Sequence, residues 1–533
     1  MTLPAAEVGR LATRGVPRDT PALRSALESR VRAAEIRPRE LAPAAVLVVR
    51  RADVDAPLSG AGWDHACRAR LAELAARAAR PENGVVAEGA EAVLFRDEAE
   101  LLACLAADLA RGAAGRRWWW RLLLGRFGST PADLLAGQPE AAPAVLAELH
   151  AWDRAAAVLE TFDADDVVTV LHALARAHDA PALAAVAVEL AAAFAPGGFE
   201  PGAPGAPETG ADERPEYPRL TRRETPAALT RAPAAAPDVT GARAPAPASG
   251  EGGVRLADAR RLLLRTALRL HARPASARGE AFAGELRRSA PMLRRALDRS
   301  VPAASDSAAT APRTPSAPGH VDPVEPRPPR PLDPAAADTV AEAQTTASRD
   351  APPAPPARTA RSSPPPRADA AAWEDGVTTG LAGVFMLVNA IAWLDLPDDE
   401  RVAAELGAWG VLEALARDLL GDPPPDAVWE VLALLAGREP GVALHSPYTR
   451  GWLTRSLPAV RARLAEALEV DGDAVAAELL IRWGTVHVTR THVDVVLTLD
   501  AISLRVRRAG LDADPGWMPF YGRVIRLHFE DAL

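Results

Sequence analysis

Two proline-rich tracts limit what this chain can fold into. Residues 196–253 and 301–370 mix Pro, Ala, Gly and charged residues without a helical or strand period. Such composition cannot bury enough apolar surface to offset the entropy of ordering the backbone. The second tract contains PPAPPARTARSSPPPR, which favours stiff, extended polyproline segments. The 533 residues therefore divide into an N-terminal segment 1–43, an α/β region 44–195, a disordered linker 196–253, a basic island 254–300, a disordered linker 301–370 and a C-terminal unit 371–533. The expected fold class is α+β, predominantly helical and multi-domain, with long disordered Pro/Ala-rich linkers.

In the α/β region, AAVLVVRR at 44–51 and AVLF at 92–95 are short apolar runs that suit buried strands. Between them Trp63, Cys67, Leu71, Leu74 and Ala78 share one helical face. Asp97 with Glu100 three positions on has the form of a capping box, opening a helix striped by Leu102, Leu105 and Leu109. Helices are expected over roughly 142–160 and 164–195, with Asp163 or Asp165 as caps. The run RRWWWRLLLGR at 116–126 sets three tryptophans around a helix rather than along one face. Trp118, Trp119 and Trp120 are therefore either a partner-docking patch or plugs between layers of this region.

Leu256, Leu263 and Leu270, then Phe282, Leu286, Leu293 and Leu297, give the island the pattern of a helical hairpin broken near Pro274. Its twelve arginines against Asp258, Glu280, Glu285 and Asp298 leave a local balance of +8 in a chain of net charge −9. Two helices of this length cannot build an independent core, so the island docks either on another part of its own chain or on a partner with an acidic surface. Arg260, Arg261, Arg287, Arg288, Arg294 and Arg295 are the candidate contact residues.

The C-terminal unit opens with an apolar helix at about 377–394, followed by a helix that Asp398, Asp399 and Glu400 favour at its N-terminus. Val402, Leu406, Trp409 and Leu412 give that helix its core face, and further helices are expected at about 426–436 and 457–469. After Trp483 the period changes to two. THVDVVLTL and ISLRVRR read as a hairpin, and TVHVTR before with RVIRLHF after complete an expected antiparallel sheet of four strands.

The overall negative charge opposes attraction to nucleic acid or to an anionic membrane. The chain has no lysine, so it can form neither a Schiff base nor a P-loop lysine contact, and it carries no HExxH, GxSxG or CxxC. One face of the expected sheet gathers His487, His492, Asp494, Arg505, Arg507, Arg526 and His528. Three histidines and an aspartate would suit zinc, but the neighbouring arginines oppose a cation and strand alternation sets polar residues on a solvated face anyway. No catalytic, cofactor or metal role is assigned, and the expectation is of a protein that is not an enzyme.

Cys67 and Cys104 share no metal-ligand spacing and fit a reduced, cytoplasmic protein. The N-terminus lacks the apolar core of a secretory signal. Between Asp375 and Asp395 lie 19 uncharged residues, close to a membrane-spanning length. Asn389 inside the run and acidic flanks on both sides instead favour a buried helix.

GLAGVFMLVNAIAWLDLP at 380–397 and RRAGLDADPGWMPFYGRVIRLHF at 507–529 resemble proteins of phage-tail-like contractile injection systems, including their tape-measure-type family. The first run is similar to the Gly-Leu apolar helix that such proteins place before a Leu-Pro turn. The likeness covers the C-terminal unit and carries no catalytic residue. A molecular ruler needs one long uninterrupted helix, rising about 1.5 Å per residue, whereas this chain is cut by two proline-rich tracts. The resemblance therefore implies a structural or assembly component binding other proteins of a large complex. A general cytoplasmic scaffold and an enzyme with an unrecognised site are the alternatives.

Overall fold

The computed structural model describes residues 25, 29–31, 36–56, 62–121, 123–194, 252–288, 376–444 and 446–530. The expected linkers, apart from Gly252 and Gly253 at the start of a helix, and Arg294 and Arg295 of the island lie outside the described residues. The class is α+β with helix predominating, and the apolar side chains gather into two cores.

The first core is built on a two-stranded antiparallel ribbon and a stack of helices. Strand β1 (Val46–Val49) pairs with β2 (Ala92–Phe95) across helix α1 (Gly62–Ala76), with Val46 opposite Phe95. Trp63, Cys67 and Leu74 are the buried positions of α1. Helix α2 (Glu98–Ala110) begins at Asp97, whose carboxylate accepts the Glu100 amide at 2.8 Å. Glu100 does not close the capping box, because its carboxylate takes the amide of Arg96 instead. Residues Glu98 to Asp108 are all buried, so α2 is the axis of this core.

Helices α3 (Pro131–Gly137) and α4 (Ala142–Ala151) pack on α2, followed by α5 (Ala164–Ala177) and α6 (Pro181–Phe194). The helix expected over 164–195 is thus two. Asp179 turns the chain at a φ of +50° and Pro181, which cannot supply the amide that would continue α5, starts α6. Asp163 caps α5 through a full capping box with Asp166.

The island joins this same core. Helix α7 (Gly252–Ala272) and helical residues 280–288, called α8, bury Leu263, Ala267, Leu270, Phe282 and Leu286 in it. The break near Pro274 is a 3-10 turn, Pro274–Arg278.

The second core opens with strand β3 (Val377–Thr379), a 3-10 turn Ala382–Met386 and helix α9 (Leu387–Trp393). The single helix expected at 377–394 is replaced by these three pieces, since residues 377–379 pair with the sheet. Gly383 explains the turn: a Cβ there would sit 2.0 Å from the Leu479 carbonyl oxygen, so only glycine permits the approach. Helices α10 (Glu400–Leu420), α11 (Val428–Leu435) and α12 (Pro447–Leu468) complete the helical layer. Among the described residues no helix is long and apolar enough to cross a membrane.

The sheet corrects the expectation of four antiparallel strands. It has five, in the order β3-β4-β5-β7-β6, with β4 (Gly484–Val488), β5 (His492–Thr498), β6 (Gly516–Met518) and β7 (Arg523–Glu530). The pair β5·β7 is parallel and the others are antiparallel. ISLRVRR is not a strand. The Ser503 hydroxyl accepts the Val506 amide and caps a short helix, α13 (Leu504–Arg508), which buries Val506 and leaves Leu504 in solvent, while Ile502 is buried in the extended residues before the cap. Parallel neighbours need a crossover connection, and α13 with β6 supplies it.

Candidate functional site

The two cores meet along a seam of buried charge. Thr489 and His492 close the β4–β5 turn: the Thr489 amide donates to the His492 carbonyl at 2.9 Å, and the His492 amide to the Thr489 hydroxyl at 3.1 Å. This turn faces the start of α2 and the side of α4. The Arg490 amide donates to Asp97 at 3.2 Å, and the Arg490 guanidinium forms an ion pair with Glu148. Glu148, whose side chain is only 3% exposed, also takes Arg96 at 3.1 Å. Arg523 donates to the Thr489 carbonyl, and burial lowers its guanidinium to about 10, opposed by the charge of Asp97. A guanidinium held this deep needs both partners, because an unpaired buried charge is strongly destabilising.

Beside these pairs is a cavity of about 20 Å³, lined by Glu98, Gln138, Glu140, Thr491, His492 and Trp517 among others. Burial raises the Glu98 carboxyl to about 7, with Arg526 opposing the shift, and its Oε1 has no hydrogen-bond partner. Burial likewise lowers His492 to about 4 against the charge of Asp494. His178, on the same side, is lowered to about 4 by burial and is bonded through Nε2 to the Pro139 carbonyl at 3.2 Å. Trp517 binds the halves together, with its indole N–H on the Ala177 carbonyl at 2.9 Å and its ring edge-on to His178 at 5.1 Å. A carboxyl near 7 beside an imidazole is suited to proton transfer, but a space this small holds about one water.

The group His487, His492, Asp494, Arg526 and His528 does assemble across the sheet. His487 lies opposite Asp494, which lies opposite Arg526 on the other side, and His528 Nε2 meets Asp494 Oδ1 at 2.7 Å. The face is only partly solvated, contrary to expectation: Asp494 is 0% exposed and His492 3%, while His487, Arg526 and His528 are half-buried. Arg37 lies close enough for its charge to be felt by Asp494, and burial lowers its own guanidinium. Arg505 and Arg507 lie on α13 and do not join the group. Among the described residues no cluster of three or more His, Cys, Asp or Glu has the arrangement of a metal site.

The tryptophan run is a 3-10 turn that packs Trp119 and Trp120 into the first core. Trp120 is fully buried, stacks on Phe95 at 5.6 Å and donates to Asp108 at 2.8 Å. Trp119 is buried under the Arg117 guanidinium, and half-buried Trp118 donates to the Ala90 carbonyl at 2.9 Å. Of the island arginines, Arg260 binds the Phe162 carbonyl, Arg261 pairs with Asp258 at 2.9 Å and Arg287 with Glu280 at 2.6 Å. Arg288 is exposed.

The seam residues Glu98, Glu148, Arg490 and Arg523 carried no sequence signal of their own. The one available hint was a helix with acidic residues inside an otherwise apolar run, EAELLACLAADLA. Compared with known proteins, the chain matches no family model, no curated protein and no solved structure.

Proposed function

We propose that this chain is a cytoplasmic, non-enzymatic structural or assembly component that acts through protein–protein contacts, within a phage-tail-like contractile injection system. One observation carries the non-enzymatic part. Among the described residues of the seam Glu148 pairs with Arg96 and Arg490, Arg523 is bonded to the Thr489 carbonyl, and the space beside them at Glu98 is a 20 Å³ cavity with room for about one water. Groups arranged in this way fasten two halves of a molecule.

The assignment to an injection system is supported by the likeness of 380–397 and 507–529. The first run supplies Leu381 to Ile391, the interior of the second core, and the second supplies Trp517, which bonds to the first half. Both are framework, consistent with a body that holds partners at its surface.

The test is affinity purification of the tagged full chain from its own cells, with identification of what accompanies it. Sheath, tube or baseplate proteins are the expected companions, and deletion of the chain should leave particles missing or malformed. Intact particles without it, and a purified chain free of such companions, would refute the reading.

A further inference from the structure

The cavity at the seam is walled by both halves of the molecule. Glu98, Gln138 and Ala141 line it from the first core, and Thr491, His492 and Val524 from the sheet. Its volume of about 20 Å³ decides what size of molecule it can take. A single water needs about 10–15 Å³ of such space and two to four polar partners. Anything larger is excluded.

The polar partners are there, and one of them is unsatisfied. Glu98 is 8% exposed, and its Oε1 has no hydrogen-bond partner. An oxygen stranded in this way raises the unfolding constant on the order of 10-fold or more, because it has lost its hydration and gained nothing for it. Across the space, His492 is 3% exposed and its Nδ1 meets the Thr491 hydroxyl at 2.9 Å, which leaves Nε2 for a further partner. Gln138, also buried, adds an amide to the lining.

Charge argues for a neutral occupant. The Arg526 guanidinium acts on both Glu98 and His492, and Arg523 acts on His492. Asp97 and the half-buried Glu140, which is also on the lining, act on Glu98 with the opposite sign. Burial outweighs these charges in both groups, so Glu98 holds its proton up to about 7 and His492 stays neutral down to about 4. Between those limits the facing pair offers hydrogen bonds without a net charge, and with guanidinium and carboxylate both near, an ion of either sign is opposed.

We propose that this cavity is a binding site for one structural water, hydrogen-bonded to Glu98 Oε1 on the first core and to the His492 ring on the sheet. Such a bridge is nearly as good as a direct hydrogen bond. It satisfies the stranded oxygen and ties the two halves together at the same point.

The direct test is a crystal structure of the full chain at mildly acid pH, at a resolution that shows bound water. One peak of density within hydrogen-bond distance of both Glu98 Oε1 and the His492 ring is expected. An empty space, or a side chain turned into it, overturns the proposal.

Stability in solution supplies a second test, which has a sign. Filling a dry cavity improves packing, whereas filling a wet one expels the water and strands Glu98. Ala141→Val and Val524→Ile add bulk to the lining from opposite halves, and each should raise the urea unfolding constant on the order of 10-fold. Adding either to a Glu98→Met chain, which has no oxygen to strand, should cost far less. Glu98→Gln keeps a polar group for the water and should respond to both fillers as the wild type does. Fillers that stabilise the wild type, or that cost as much in the Glu98→Met chain, overturn the proposal. So does a melting temperature that falls when choline chloride replaces sodium chloride, because the occupant is then a cation. The site needs no partner protein, so its failure leaves the assembly reading as it stands.

Discussion

Glu98 offers the sharpest quantitative test of the seam. Its carboxyl lies at the start of α2, 8% exposed, facing Arg526, Glu140, Asp97 and His492. Burial raises it from 4.5 to about 7. An acid whose folded pKa lies above its unfolded pKa keeps its proton longer in the native state. Stability therefore falls as pH rises from about 4.5 to about 7, and the loss is complete above that window. At about 1.4 kcal/mol per unit, the shift corresponds to about 3 kcal/mol.

His178 and His492 act in the opposite sense. Each is lowered from 6.5 to about 4, so the unfolded chain takes up protons that the native state refuses, and stability rises with pH across that window. Glu98→Gln keeps the shape and neutrality of the protonated side chain and removes its titration. Urea unfolding of the full chain, compared between wild type and variant, isolates the Glu98 contribution because every other group is shared. The two should be nearly equal at about pH 4, and the variant about 3 kcal/mol more stable at about pH 8. A difference that stays constant with pH would show that Glu98 is not held neutral by the seam.

Other perturbations test the pairs and the close contacts. Glu148→Ala strands Arg490, while Arg96 keeps Glu100, and should lose about 3 kcal/mol, part of which Arg490→Met recovers in the double variant; a double variant no better than the sum of the singles would deny the pairing. Trp120→Ala should lose about 4 kcal/mol by chemical denaturation, because the residue is fully buried against Phe95, and a loss well under 1 kcal/mol would return it to the surface. Gly383→Ala forces a methyl against the Leu479 carbonyl and should destabilise the second core by about 3 kcal/mol, lowering soluble yield. Ser503→Ala should lose about 1 kcal/mol with the cap of α13, and no change in melting temperature would argue that Ser503 does not set this helix.

Local signals in the sequence were read well where one residue type has one physical outcome. Asp97 and Asp163 cap α2 and α5 because a carboxylate before an apolar run satisfies free amides. Trp63, Cys67 and Leu74 face inward at helical spacing, as do Val402, Leu406, Trp409 and Leu412. Alternation also gave β4, β5 and β7 their inward faces, Val486, Val493, Val495, Ile525 and Leu527.

The same alternation misled at ISLRVRR. Ile502 is buried in extended backbone and Val506 in the helix that Ser503 caps, so their even spacing arises without a strand. It misled again on the polar face. Asp494 and His492 alternate correctly, yet both are buried rather than solvated, which alternation within the strand does not decide.

By itself, then, the order of residues set the helical class, the caps and the apolar faces, because these follow from neighbours within a few positions. The parallel β5·β7 pair, the burial of Trp120, the merging of the island into the first core and the seam of Glu98, Glu148, Arg490 and Arg523 were decided only by tertiary structure. Each depends on which distant segment arrives to exclude water. A charged side chain in a sequence has the same chemistry whether it will be solvated or sealed, and only the folded neighbours fix its energy.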